Sequence, residues 1–146
     1  MQALSPEQYA RLRALAEAWT YHHLKAAKAL PQFNPRLVAD ALCFQPLRDA
    51  EHGELLLGAL VTPLSLSLAL AGLPASAGLP APAAGSRLRI ALPSGHYDLE
   101  AFHVDADHWC WRCVLLDDLS DLPGREAASR LAQQLMERVM APDEAR

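Results

Sequence analysis

Residues 55–86 read LLLGALVTPLSLSLALAGLPASAGLPAPAAGS, 32 residues between Glu54 and Arg87 without one charged side chain. A run that long crosses a membrane, fills a core or meets a partner. A spanning helix needs about 20 mostly apolar residues, yet Pro63 interrupts the most apolar part and no Lys/Arg cluster flanks the tract as a topology signal. Leu64–Leu70 alternates Leu-Ser-Leu-Ser-Leu-Ala-Leu, the period-two pattern of a half-buried strand. From Leu73 onward the composition turns to Pro, Ala, Gly and Ser, which is loop chemistry. The tract therefore predicts two strands joined around Thr62-Pro63, then a loop over 73–86, and no membrane insertion.

Strand signals continue on both sides. Upstream, Leu37–Phe44 reads as a strand that Pro46 ends or places at an edge, and the polar stretch Arg48–Gly53 turns it back into Leu55–Val61 as a hairpin. Downstream, Arg87–Leu92, His96–Val104 and Trp109–Leu116 are separated by Pro93-Ser94-Gly95 and Asp105-Ala106-Asp107. Connections that short favour antiparallel neighbours.

Helices close both ends. Ser5-Pro6-Glu7-Gln8 is a capping box with proline at the first helical position. Tyr9, Leu12, Ala16, Trp19, His23, Ala26 and Leu30 then recur at helical steps until Pro31. A second helix is predicted over Pro123–Met140, with Ala127, Leu131, Leu135 and Val139 on one face and Asp121 as its N-cap. The expected architecture is one α+β domain over 1–146: an antiparallel sheet of five to six strands within 37–116, flanked by helices over 5–30 and 123–140.

Composition limits the function. A formal net charge of −4 argues against attraction to nucleic-acid phosphates. The opening MQALSPEQYARLR lacks the basic and apolar regions of a secretory signal, and three cysteines, an odd number, suit a reducing compartment. Together these point to the cytoplasm.

The segment His103–Cys113 carries a CxxC beside two histidines, a pattern that raises zinc or thiol-redox chemistry as the alternative function. On a strand, however, Cys110 and Cys113 have opposite parity and project to opposite faces. Zinc requires sulfur ligands about 2.3 Å from one centre, and no second CxxC is present. His108 reads as a solvated turn residue. His22 and His23 are about 100° apart on a helix and cannot chelate as an i, i+4 pair; His23 falls on the apolar face. Ser94 is an ordinary turn residue and lacks the strand-to-helix GxSxG elbow. Asp117, Asp118 and Asp121 lie where the last strand leaves the sheet. They serve as helix-terminus carboxylates or as an acidic rim that receives a basic peptide.

Several motifs in order resemble one family. Leu30-Pro31-Gln32-Phe33-Asn34-Pro35-Arg36-Leu37-Val38 is similar to its LP-x-x-NP-x-L segment, and Phe44-Gln45-Pro46 follows. Gly58-Ala59-Leu60-Val61-Thr62-Pro63 resembles its G-x-L-V-T-P signature, Leu92-Pro93-Ser94-Gly95-His96-Tyr97 its LP-x-G-x-Y turn, and Cys113-Val114-Leu115-Leu116 its C-S-L strand. The family is the HybE-type nickel–iron hydrogenase assembly chaperones, matched over roughly 30–140. The chain departs from the family pattern in having Leu64 after Thr-Pro where Trp is common, and Asp117-Asp118 in place of Ser-Pro.

The resemblance implies a cytoplasmic, non-enzymatic chaperone without a cofactor of its own. Its expected partner is a hydrogenase precursor subunit, through the twin-arginine signal peptide of the small subunit. Such a peptide joins two arginines to an apolar stretch of about 7–15 residues, so it needs an apolar groove with carboxylates beside it. The candidate partner-binding residues are Thr62, Pro63 and Leu64, Trp109 and Trp111, and Asp117, Asp118 and Asp121. No catalytic residue and no metal ligand is assigned.

Overall fold

The structure is a computed structural model, and it describes residues 4–49, 53–72 and 83–142. Within these, α1 (Pro6–Ala27) precedes six strands: β1 (Asp40–Asp49), β2 (Gly53–Val61), β3 (Leu66–Gly72), β4 (Arg87–Leu92), β5 (Gly95–His103) and β6 (Trp109–Leu116). Helix α2 (Arg125–Val139) follows. Every strand pairing is antiparallel, in the order β1-β2-β3-β6-β5-β4. Two three-stranded meanders thus meet at β3 and β6. The segment after β3 carries the chain from the middle of the sheet to its far edge; most of the predicted 73–86 loop lies outside the described residues.

The charge-free tract owes its composition to position. On β2 and β3, Leu55, Leu57, Leu68 and Leu70 pack with Met136 and Val139 of α2 on one face. Leu60 and Ala69 pack with Leu15, Ala18 and Trp19 of α1 on the other. With both faces covered, neither parity of the strand tolerates a charge. The Leu/Ser alternation over 64–70 had indicated a strand half open to solvent, but Ser65 and Ser67 are both buried. The strand also begins two residues late, because Thr62 Oγ1 accepts the N–H groups of Leu64 and Ser65 in a tight turn.

Helix α1 starts at the predicted capping box, Ser5 Oγ accepting from Gln8 N at 3.2 Å and Gln8 Oε1 from Ser5 N at 2.7 Å. It ends three residues before Leu30, and its buried stripe is Leu12, Leu15, Ala16, Ala18, Trp19 and Ala27. Tyr9 and Leu30, expected on that stripe, are 53% and 43% exposed. In α2 the buried line is Ala128, Ala132, Met136 and Val139, one position on from Ala127, Leu131 and Leu135, which are half-buried beside it. The helix begins after Gly124 with no side-chain cap, so Asp121 does not cap it as expected. Asp121 is exposed in the loop before it.

Strand β1 begins three residues later than predicted and continues through Pro46 to Asp49. Proline is tolerated there because β1 is an edge strand. Its register slips between Leu42 and Gln45, so Cys43 and Phe44 together oppose Gly58. Such a bulge bends the strand, and Cys43 takes φ +60°, in the left-handed region.

Candidate functional site

The site is organised by Asn34, which is 1% exposed between α1 and β1. Its backbone N–H donates to the Pro63 carbonyl at 3.0 Å. Its Nδ2 donates to the carbonyls of Leu119 (2.8 Å) and Leu122 (3.0 Å), while Oδ1 accepts from Arg36 N at 3.0 Å. A buried amide with all three of its N–H groups used is a rigid junction. Asn34 therefore ties three loops together: its own, the Thr62-Pro63 turn and the acidic loop after β6.

Beside this junction the surface is concave. One apolar groove of about 300 Å³ lies between the second half of α1 (Thr20, Leu24, Lys28) and Phe33, Pro35, Val38 and Pro63. A larger groove of about 530 Å³, with a mixed polar and apolar lining, continues between Tyr9, Leu12 and Ala16 of α1 and Val38, Ala41 and Phe44 along the β1 side. A third, shallow depression against the start of α2 takes in Val38, Asp40 and Arg125. Val38, 45% exposed, lines all three. Charges border the larger groove in both signs, Glu17 and Asp40 with Arg13 and Arg125.

The predicted site residues divide among different places. Thr62 is buried and serves its own turn, and Pro63 is fully buried with its edge on the groove. Leu64 is half-buried against the α1-side core. Asp117, Asp118 and Asp121 are exposed in the loop that Asn34 holds. Hydrogen bonds from the side chain and backbone of Ser120 keep the Asp118 carboxyl below the usual carboxylate range. The two tryptophans do not join this group. Trp109 lies at the start of β6 with the Arg11 guanidinium 5.8 Å from its ring centre, and Trp111 packs on the α2-side core.

The cysteine–histidine segment is split by the sheet. Cys110 is fully buried with the α1-side cluster, and burial pushes its thiol up to about 12. Cys113 packs against the α2-side cluster. A disulfide or a shared metal ion would need both sulfurs on one side, so the CxxC supports neither. Among the described residues no group of three or more His, Cys, Asp and Glu side chains could hold a metal. His108 is not a free turn residue: its Nδ1 lies 2.9 Å from Asp105 Oδ1. His22 Nε2, from α1, lies 3.1 Å from the other oxygen of Asp105, and His23 Nε2 lies 3.1 Å from the Val104 carbonyl. These contacts fasten α1 to the β5–β6 turn.

Sequence reasoning passed over Asn34 and Val38 as site residues. Asn34 carried a signal, a polar residue next to proline in a segment otherwise flanked by apolar positions. Val38 carried none, since an exposed valine reads the same as a strand residue.

Against known proteins, the chain matches, over residues 10–146, the sequence model of the family described as NiFe-hydrogenase assembly, chaperone, HybE. It is 31% identical over 116 residues to the hydrogenase expression/formation protein HoxT of Azotobacter vinelandii, covering 80% of this chain and 71% of that protein. The solution structure of HybE from Escherichia coli superposes with a TM-score of 0.63 at 16% identity, covering all of this chain and 90% of the other. That likeness is one of fold: the same α+β arrangement of a six-stranded antiparallel sheet with helices at both ends.

Proposed function

Because the chain belongs to the HybE family of nickel–iron hydrogenase assembly chaperones, we propose that it holds the small-subunit precursor by its twin-arginine signal peptide, in the cytoplasm, through binding and not through catalysis. The apolar stretch of the peptide lies in the groove between α1 and β1, over Val38 and the edge of Pro63. Its two arginines reach Asp117, Asp118 and Asp121. The observation that carries this reading is the Asn34 junction, whose three hydrogen bonds fix the acidic loop relative to the Pro63 end of the groove. A ligand with cations at one end of an apolar segment then meets both features on a prearranged surface, which reduces the ordering cost of binding. Carboxylates suit the role because each guanidinium can make two parallel hydrogen bonds to one of them. Among the described residues no helix is long and apolar enough to cross a membrane.

The test is a titration of the full chain with the small-subunit signal peptide and with a version in which both arginines are glutamine. The expected result is saturable binding that weakens at least tenfold in the glutamine version. Equal affinity for the two peptides would remove the acidic loop from the site. No binding of any hydrogenase precursor would remove the proposal.

A further inference from the structure

The sheet has an open area that neither helix covers. On β6, Arg112 and Val114 share the α1-side face with Cys110, but α1 packs over the β2–β3 half and leaves them at its margin. Val114 is 44% exposed although β6 has a paired strand on each side. The neighbouring positions on β4 and β5 carry the charges expected of a solvated face: Arg89 is 2.9 Å from Asp98, and Arg87 is 3.7 Å from Glu100. An apolar side chain set among these charges breaks the polar alternation of a solvated face.

Arg112 is out of pattern too. Its guanidinium carbon sits 3.7 Å from the centre of the Phe102 ring, half-buried, and burial pushes it down from its ordinary value. Among the described residues no carboxylate lies within ion-pairing distance of it; Glu100, opposite in register, attracts it from farther away and is 3.7 Å from Arg87. This part of the face thus holds three arginines and two carboxylates, an excess of one cation in a chain of formal charge −4. Two residues along β3 from Arg112's partner Ala69, Ser67 lies opposite Val114, and its hydroxyl is buried without a hydrogen-bond partner among the described residues.

We infer that Arg112 and Val114 form a second client surface, which takes a carboxylate flanked by apolar side chains from the folded part of the precursor subunit. Arginine that is held over an aromatic ring and partly stripped of water is pre-positioned for bidentate pairing with a carboxylate, and residues of this kind carry much of the energy of protein interfaces. A second copy of this chain fits poorly, because a two-fold contact through this patch would bring its surplus cation against itself. The inference rests on the proposed client, but it concerns a different part of it and a different face.

The experiment compares wild type with Arg112→Gln and Val114→Asp, using two ligands: the complete small-subunit precursor and its isolated signal peptide. Both variants should weaken precursor binding roughly tenfold and leave the isolated peptide within about twofold, a tolerance near the lower end of exposed ion-pair effects. Retained binding of the isolated peptide shows that both variants fold. Unchanged precursor binding in both variants overturns the inference, as does equal weakening of the isolated peptide. It is also overturned if wild type is a dimer that Arg112→Gln dissociates, which would assign the patch to self-association. If neither ligand binds wild type, the proposed client fails and this surface fails with it.

Discussion

Gly58 has no room for a side chain because Phe44 lies across it. A Cβ at Gly58 would collide with Cδ1 and Cγ of the Phe44 ring and come 2.8 Å from the Phe44 Cα. The bulge at Cys43–Phe44 creates this contact by setting two β1 residues against one on β2. Phe44 consequently leans over β2 toward α1 and forms part of the larger groove. Two family motifs, Phe44-Gln45-Pro46 and the Gly58–Pro63 signature, are thus the two halves of one packing contact.

Replacing Gly58 by alanine is therefore expected to cost roughly 1–3 kcal/mol of stability, the usual penalty for overpacking. The obstacle includes Phe44 backbone, so rotation of the ring cannot relieve it fully. Urea unfolding of Gly58→Ala checks this, and an unchanged midpoint would show that β1 can move away.

Asn34→Leu removes both donors to the Leu119 and Leu122 carbonyls while keeping a similar volume. Leaving buried acceptors unpaired costs about 1–3 kcal/mol, so a loss of roughly 3 kcal/mol is expected. Hydrogen exchange should accelerate across the loop 117–124 more than in β2 or β3. Uniform acceleration would mean that Asn34 does not specifically hold that loop.

Val38→Asp places a charge where the three depressions meet. Val38 is already nearly half exposed and lies outside the strands, so the stability should stay within about 0.5 kcal/mol of wild type. Affinity for the signal peptide should fall at least tenfold, as measured by calorimetry. Retained affinity would move the apolar seat away from this groove.

Cys110 predicts the alkaline behaviour. Burial pushes its thiol up to about 12 in the folded chain from an ordinary value of 9.0. Below pH 9 both states keep the proton and the stabilisation is whole. Between pH 9 and 12 the unfolded chain loses a proton that the folded chain retains, so stability falls as pH rises, by at most about 1.4 kcal/mol per pH unit from this group. Cys110→Ala should flatten that slope in urea unfolding at successive pH values. At pH 8, thiol reagents should label the exposed Cys43 and leave Cys110 untouched until the protein unfolds.

Much of the sheet was legible because its signals are local. The capping box before α1, the period-two alternation of Arg87–Leu92 and the short turns at 93–95 and 105–107 each act within a few residues. The misreadings arose where sheet position or a side-chain hydrogen bond decided the outcome. Pro46 does sit on an edge strand, one of its two readings, but β1 runs on past it to Asp49. Leu64 and Ser65 are drawn from the strand into the Thr62 turn. Asp121 fails to cap α2 because the loop it belongs to is held by Asn34, 85 residues from Leu119.

The sequence by itself determined that the charge-free tract would hold two strands, that helices would close both ends, and that Cys110 and Cys113 would face apart. Chain periodicity alone sets those outcomes. The tertiary structure decided which apolar side chains are surplus to the core. Val38 and Val114 have the same chemistry as buried valines, and only the packing of α1 over one half of the sheet leaves both of them at its margins. It also decided that Asn34, Pro63 and the acidic loop meet, because hydrogen bonds between loops so far apart exist only once the sheet has assembled.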